Sequence, residues 1–309
     1  MERSRGRTYV GMDRSERVAG APISWGICEV PNWGQMLPAR RVLREMAALG
    51  ITATELGPPG FLPGEAEELR ATLDSYGLRL VAAFVPLVMH DADRVEETLV
   101  TARRATQLLR AAGAEVFVSA AIVDDAWSPR RPLEPTEWRQ LYETLRRLDE
   151  IAGDERLRHV LHPHLGTLVE TRDDVQHVLA ESDVRWCLDT GHLTLGGTDP
   201  LDFARTTAGR VGHVHLKDVD LDVAARLRSG QLDLVPAVQQ GLFRPLGRGD
   251  VPIEQVVTAL ETGGYHDWYV LEQDTAITTD VPPEGTGPMT DVRTSIEFLR
   301  PLLTRLSVA

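Results

Sequence analysis

The sequence predicts a single (β/α)8 barrel, an α/β fold of the TIM-barrel class, with an insertion after the seventh strand. Short apolar runs alternate with longer amphipathic segments along the 309 residues, and each kind occurs eight times. The apolar runs are rich in Val, Ile, Leu and aromatic residues, as buried parallel strands are. A doubly wound sheet is the alternative, but no glycine-rich phosphate-binding turn follows the first run. Eight strand–helix units therefore favour the barrel.

Each predicted strand is a short run followed by a helical pattern that begins or ends with a helix signal. The first helix begins at Pro38 and ends at Gly50, and the next two also end at glycine. The predicted strands are 21–27, 51–57, 78–86, 114–121, 157–164, 184–190, 211–217 and 268–274. The predicted helices are 38–50, 66–77, 91–113, 136–153, 171–182, 200–209, 252–264 and 290–303.

One connection is much longer than the others. Residues 219–250 separate strand seven from its helix, and we expect them to form a lid over an active site. No linker, repeat or low-complexity tract interrupts the chain, so we expect one domain over residues 20–309. Residues 1–19 are polar and charged, and we expect a flexible N-terminal leader there.

Composition disfavours several classes of partner. The net charge is −13, which disfavours nucleic acid and anionic membranes, and a small-molecule substrate is the expected partner. Two cysteines form neither a disulfide framework nor a cysteine-based zinc site. No apolar run is long enough to span a bilayer, and the N-terminus lacks the apolar core of a signal peptide. These features favour a cytoplasmic location.

Titratable side chains collect where the predicted strands end, which is where TIM barrels place their chemistry. Five of the nine histidines lie in strand ends or in the turns directly after them. A lone buried histidine is usually a core residue, and Asp189 could simply cap the turn that follows it. Ionisable groups on four neighbouring strands are harder to explain in this way, because buried charges need compensation. A divalent cation is the simplest compensator.

The alternation of a β-strand orients these side chains. His162 and His164 are two residues apart and share one face of strand five, and His213 and His215 share a face of strand seven. Asp189, His215 and Glu272 come from the adjacent strands six, seven and eight, so they can converge on one ion. A mixed oxygen and nitrogen ligand set without sulfur suits Mn²⁺, Co²⁺, Mg²⁺ or Zn²⁺.

Several motifs resemble the xylose-isomerase-like sugar isomerase and epimerase superfamily. These are CLDTGH (187–192), HVHLKD (213–218), LEQD (271–274) and the GRGD before helix seven. Three further segments resemble inosose dehydratases and their relatives: PISWGICEVPNWG (22–34), TELGPPGFLP (54–63) and HPHLGTLVET (162–171). The resemblance covers residues 20–303.

The resemblance implies a divalent metal, most often manganese or cobalt, at the top of the barrel. It assigns Asp189, His215 and Glu272 as metal ligands. Many relatives have a glutamate on strand five as the fourth ligand, and here His162 holds that place. Either His162 ligates the metal or Glu170 reaches in from the loop, and we favour His162. The loss of this glutamate weakens the case for an epimerase that uses two glutamate bases.

The same resemblance implies a dehydratase that acts on a cyclic keto-polyol through a metal-stabilised enediolate. His164 is the expected base and His192 the next choice, because neutral histidine suits proton transfer near pH 7. Lys217, Glu170 or the other histidine would protonate the departing hydroxyl. Metal-dependent ketose isomerases or epimerases and 3-keto-glycoside lyases of the superfamily are alternatives, as is a non-catalytic sugar-binding barrel.

Two residues nearer the N-terminus are expected to contact substrate. Glu55, at the end of strand two, would bind ring hydroxyls, and Trp25 would pack on the ring face. Either could equally be a packing residue. Barrels of this group often pair, so a homo-oligomer is also an open expectation.

Overall fold

The computed structural model describes residues 14–308, and its central feature is a closed barrel of eight parallel strands. Each strand pairs with its neighbours in chain order, and the last closes on the first through the pairs Val18–Tyr269 and Gly20–Leu271. The predicted (β/α)8 fold is confirmed. The strands are β1 (Val18–Gly20), β2 (Ala53–Glu55), β3 (Arg79–Leu87), β4 (Val116–Ala121), β5 (Arg158–Leu161), β6 (Trp186–Asp189), β7 (Val211–Leu216) and β8 (Tyr269–Leu271).

Helices surround the barrel, and all eight predicted helical segments are helical. The helices are α1 (Ala39–Ala48), α2 (Ala66–Asp74), α3 (Val95–Ala112), α4 (Pro135–Asp154), α5 (Arg172–Glu181), α6 (Thr190–Leu195), α7 (Pro200–Thr207), α8 (Leu221–Arg228), α9 (Leu234–Gln239), α10 (Ile253–Thr262) and α11 (Pro288–Val308). Within residues 14–308, no helix combines the length and the apolar character needed to cross a membrane.

The first strand lies earlier than predicted. Residues 21–27 are not a strand: Pro22–Trp25 form a 3₁₀ helix, which ends at Gly26 with a φ of 81°. The run is apolar because it is buried beside the barrel, and Pro22 cannot donate to a strand ladder. The barrel strand is instead Val18–Gly20, whose first two residues belong to the segment 1–19 expected to be a flexible leader.

The leader prediction is therefore wrong for its last residues. Arg17 is buried and forms an ion pair of 2.6 Å with Glu261, and Arg14–Glu16 form a short 3₁₀ helix. Residues 1–13 lie outside the described part of the chain. Strand five also ends earlier than predicted, at Leu161, although the His162 N–H still donates to the Ser119 carbonyl on β4 at 2.8 Å.

The insertion after β7 is a folded unit that contains α8, α9 and a short antiparallel pair of strands, Asp218–Val219 with Phe243–Arg244. Its closing turn holds the Asp218 carboxylate, which accepts N–H hydrogen bonds from Gly247 and Gly249 at 2.9 Å each. A Cβ atom at Gly249 would lie 2.4 Å from Asp218 Oδ1, so only glycine is accommodated there. The GRGD segment thus anchors the insertion.

Small apolar side chains fill the interior of the barrel. Val118, Val160, Val270 and other buried residues from neighbouring strands form one cluster there. Packing of this kind makes the barrel interior a solid core and leaves chemistry to the carboxyl ends of the strands.

Candidate metal centre and active site

A cavity of about 220 Å³ opens at the carboxyl ends of the strands. Its walls are largely apolar and include Trp33, Phe84 and Trp127. Its acidic and basic lining residues come from the ends of six of the eight strands or from the segments that follow them: Glu29, Glu55, His162, His164, His192, Lys217, Glu272 and Asp274. An apolar cavity with a few convergent polar groups is the usual form of a small-molecule site.

Three predicted metal ligands meet beside this cavity. Asp189 Oδ2 and Glu272 Oε2 lie 3.7 and 3.2 Å from His215 Nδ1. The ligand atoms of these three residues all lie within 4.8 Å of one another, and all three residues are buried. The other carboxylate oxygen of Asp189 accepts the N–H groups of Gly191 and His192 at 2.8 Å, which fixes the orientation of Oδ2.

The two carboxylates of this group are ionised, as a cation site requires. Burial favours neutral Asp189, but the charges of Lys217 and His192 hold its pKa well below the ordinary value. Burial also opposes ionisation of Glu272, yet the nearby His215 and Lys217 lower its pKa to about 2. Burial disfavours charge on His215, but the groups around it, Cys187 and Glu272 foremost, raise its pKa well above the ordinary value, so without an ion it holds a proton that a bound metal would displace.

Unpaired ring nitrogens give a separate test of fit. The Nδ1 atoms of His162, His213 and His215 are buried and make no hydrogen bond within the described residues. Buried polar atoms in native proteins are nearly always paired, and His215 Nδ1 lies beside the carboxylates of Asp189 and Glu272, where a cation could be the missing partner. A divalent cation held by Asp189, His215 and Glu272 fits this donor set.

His162 and Glu170, the two candidates for a fourth ligand, lie in different surroundings. His162 Nε2 lies 3.3 Å from Asp189 Oδ2, and His162 lines the cavity. Glu170 Oε2 instead accepts the Gly166 N–H at 2.6 Å, faces Arg130 at 3.5 Å, and is not among the cavity-lining residues. The structure therefore places His162, and not Glu170, beside the group formed by Asp189, His215 and Glu272, which we call the metal group.

The two other cavity histidines differ in their free nitrogens. His164 Nδ1 donates to the Leu165 carbonyl at 2.8 Å, so Nε2 carries the lone pair. Burial, together with the charges of His162 and Lys217, lowers the pKa of His164 to about 3 and keeps it neutral. His192 has a donor facing each nitrogen: Lys217 Nζ lies 3.0 Å from Nε2, and the Leu165 N–H lies 3.3 Å from Nδ1. His164 is therefore the freer base.

Lys217 is a fully buried ammonium group between two carboxylates. Its Nζ lies 2.6 Å from Asp274 Oδ1 and 3.1 Å from Glu272 Oε2. Burial opposes its charge, but Asp274 and Glu272 outweigh burial and raise its pKa. Lys217 therefore stays protonated beside the cavity.

Of the two predicted substrate contacts, only Glu55 lies at the cavity. Trp25 is fully buried, donates its Nε1–H to Glu45 Oε2 at 2.8 Å, and does not line the cavity, so its predicted role is wrong. Glu55 does line the cavity, but its Oε1 accepts from His213 Nε2 at 2.8 Å and from His215 Nε2 at 3.0 Å. Burial opposes the charge of Glu55, and these two histidines more than compensate and lower its pKa.

Sequence reasoning assigned no role to Glu29, which lines the cavity. Burial, reinforced by the charges of Glu272 and Asp274, raises the pKa of Glu29 to about 7. The loop that carries Glu29 is held to the loop after β8: Trp33 Nε1 donates to the Thr275 carbonyl at 2.8 Å. The available signal was an acidic residue inside the apolar segment 22–34.

The fold and this site define a (β/α)8 enzyme with a candidate divalent-cation centre at the mouth of its barrel. The chain belongs to the xylose isomerase-like TIM barrel family, whose sequence profile matches residues 43–302. It is similar to the inosose dehydratase of Geobacillus kaustophilus, with 33% identity over 305 residues, 95% of this chain and 96% of that protein.

Solved structures share the fold at low sequence identity. The IolI protein with a bound zinc atom has a TM-score of 0.67 at 13% identity, over 94% of this chain and 98% of that one. An L-ribulose 3-epimerase has a TM-score of 0.66 at 16% identity, over 94% of this chain and 96% of that one. Membership of the family, together with the similarity to the inosose dehydratase, identifies the chain as an enzyme of the lyase or isomerase type.

Proposed function

We propose that this enzyme is a divalent-metal-dependent dehydratase of an inosose-like cyclic keto-polyol, such as 2-keto-myo-inositol. The observation that carries the proposal is the convergence of Asp189, His215 and Glu272 beside a cavity that is also lined by His164 and Glu29. Similarity to an inosose dehydratase along almost the whole chain supports the substrate class. Mn²⁺ and Co²⁺ are the metals we favour.

Asp189, His215 and Glu272 would hold the ion, with His162 beside Asp189 as the fourth candidate ligand. A bound divalent cation would supply Lewis-acid stabilisation of the negative charge that develops on the substrate carbonyl oxygen in an enediolate. The chain itself must then supply a base for the α-hydrogen and an acid for the departing hydroxyl.

His164 is the proposed base. Its Nε2 has a free lone pair, and its Nδ1–H is fixed on the Leu165 carbonyl, so the ring cannot turn without losing a hydrogen bond. It takes the proton from the carbon next to the carbonyl group. His192 is the second choice, because both of its nitrogens already face donors.

Glu29 is the proposed acid. With a pKa of about 7 it holds a proton near neutral pH and can give it to the β-hydroxyl, which leaves as water while the carbon–carbon double bond forms. Lys217 is a less suitable donor, because Asp274 and Glu272 stabilise its charged form. Its ammonium group would instead bind a substrate oxygen. Glu170 has no part in this scheme, since it lies outside the cavity.

The deciding experiment starts from protein stripped of metal. Incubation with 2-keto-myo-inositol, with and without Mn²⁺ or Co²⁺, is followed by the ultraviolet absorbance of the conjugated product. Metal-dependent growth of this band is expected, and Asp189→Ala and His164→Ala should abolish it. His177→Gln, at an exposed histidine, is the matched control and should retain it.

Other outcomes would point elsewhere. Metal-dependent exchange of deuterium from D₂O into ketoses, without the absorbance band, would replace the dehydratase by an isomerase or epimerase. Absence of both signals and of metal binding would leave a non-catalytic sugar-binding barrel.

A further inference from the structure

Glu55 forms a hydrogen-bonded bridge across the barrel interior. It lies at the end of β2, while His213 and His215 lie on β7, and two other strands separate β2 from β7 on that side of the barrel. Glu55 Oε1 lies 2.8 Å from His213 Nε2 and 3.0 Å from His215 Nε2. All three residues are at most 3% exposed, so water does not compete for these bonds.

This bridge determines which nitrogen of His215 can bind a metal. A carboxylate oxygen only accepts hydrogen bonds, so His215 Nε2 must carry the proton that it donates to Glu55. Its Nδ1 is then the nitrogen left for a metal, and Nδ1 is the atom that faces Glu272 Oε2 at 3.2 Å and Asp189 Oδ2 at 3.7 Å. A carboxylate that orients a metal-binding histidine in this way also increases the basicity of the ligand.

We propose that Glu55 is a positioning residue for the metal ligand His215, rather than a substrate contact. His213 completes the arrangement, because its Nε2–H binds the same carboxylate oxygen and holds it against His215. This inference rests on the proposed metal centre, but it concerns affinity for the ion and is independent of which sugar reacts.

The test measures metal binding without substrate. Metal-stripped wild type, Glu55→Ala and Glu55→Gln are titrated with Co²⁺ by calorimetry, and the visible absorption of the bound ion is recorded. We expect Glu55→Ala to weaken Co²⁺ binding by about 10–100-fold, as losses of such supporting carboxylates do. Glu55→Gln keeps an acceptor oxygen of the same reach, so it should recover part of the affinity and of the spectrum.

Glu170→Gln is the matched control, since Glu170 is a partly buried carboxylate away from the metal group, and its Kd for Co²⁺ should not change. Thermal melting of each variant checks folding, and the near-isosteric Glu55→Gln keeps the test valid if the alanine variant unfolds. If both Glu55 variants bind Co²⁺ like wild type but raise the KM for substrate, Glu55 is a substrate contact and the inference is wrong.

Two further results would also overturn it. Binding of two ions per chain would make Glu55 a direct ligand of a second site with His213 and His215, which is one of the donor groups within 4.8 Å. Failure of the wild type to bind any divalent ion would remove the proposed metal centre itself, and that failure is distinguishable because it does not depend on Glu55.

Discussion

Two histidines three residues apart, His159 and His162, lie on opposite sides of the barrel wall. His159 faces the outer helices: its Nε2 lies 2.7 Å from Ser119 Oγ and its Nδ1 lies 2.6 Å from Asp149 Oδ1. His162 faces the cavity, with Nε2 near Asp189 and Nδ1 without any hydrogen bond in the described structure. Both residues are at most 4% exposed, so burial alone does not separate them.

The outer group shows why short distances do not make an active site. Ser119, His159 and Asp149 have the spacing of a catalytic triad, yet Ser119 is fully buried in the wall between β4 and the helices and lines none of the described cavities. No substrate can reach its hydroxyl, and every bond in the group is satisfied. The inner group consists of His162, Asp189, His215 and Glu272. It has unpaired ring nitrogens and a cavity beside it, which together indicate a ligand-binding site.

The largest expected effect comes from Asp189→Asn in the inner group. Asparagine keeps an oxygen that can cap α6, but it removes the charge that faces His215. Loss of several kcal/mol of metal-dependent stabilisation should lower kcat by about 1,000-fold. Calorimetry with Mn²⁺ and steady-state kinetics check this. Asp149→Asn in the outer group is the control, and equal losses in both variants would contradict the distinction between the groups.

A smaller loss is expected from His164→Gln, because it removes the proposed base and leaves the metal ligands intact. General-base catalysis contributes about 10²–10⁴-fold, so kcat should fall by that factor while Mn²⁺ affinity is unchanged. With a pKa of about 3 the wild-type ring is neutral above about pH 4, so it should produce no acidic limb in the kcat profile at ordinary pH. A rise in KM alone would make His164 a binding residue.

Glu29→Gln tests the proposed general acid. Burial raises the pKa of Glu29 to about 7, so the proton that it donates is present below pH 7 and is lost as the pH rises through about 7. Wild-type kcat should therefore decline on the alkaline side. In the variant, kcat should be lower by about 10²-fold, and the alkaline limb of the kcat–pH profile should be absent. A pH–rate series with Glu170→Gln as control measures this, and an unchanged limb in Glu29→Gln would assign it to another group.

The sequence predicts the fold well, because eight alternating patterns admit few topologies. It misplaced the first strand, since apolarity reports burial, and the buried 3₁₀ helix at Pro22–Trp25 is as apolar as a strand. For the same reason Trp25 resembled a ring-stacking residue in the sequence, whereas its indole N–H is bound to Glu45. Both errors arise from packing outside the barrel, which no local pattern encodes.

The sequence predicts the site residues that are placed by the ends of strands. It does not predict roles that depend on contacts between residues far apart in the sequence. Asp189, His215 and Glu272 follow from the strand order and do converge. The bond from Glu55 to His215 spans 160 positions of sequence, so the sequence could suggest only that Glu55 faces the cavity. The high pKa of Glu29 likewise depends on burial by distant loops.

The smallest effect on activity is expected from His159→Phe in the outer group, and it should appear as lost stability. Phenylalanine removes the histidine partner of the buried Ser119 hydroxyl and leaves it only a long contact of 3.5 Å to the Val160 carbonyl, which costs about 1 kcal/mol, whereas the half-exposed Asp149 is rehydrated. Urea denaturation should show this loss, with kcat and Mn²⁺ affinity unchanged. Adding Ser119→Ala removes this poorly paired hydroxyl and should restore part of the stability. If kcat falls instead, the two sides of the wall are coupled and the outer group is not purely structural.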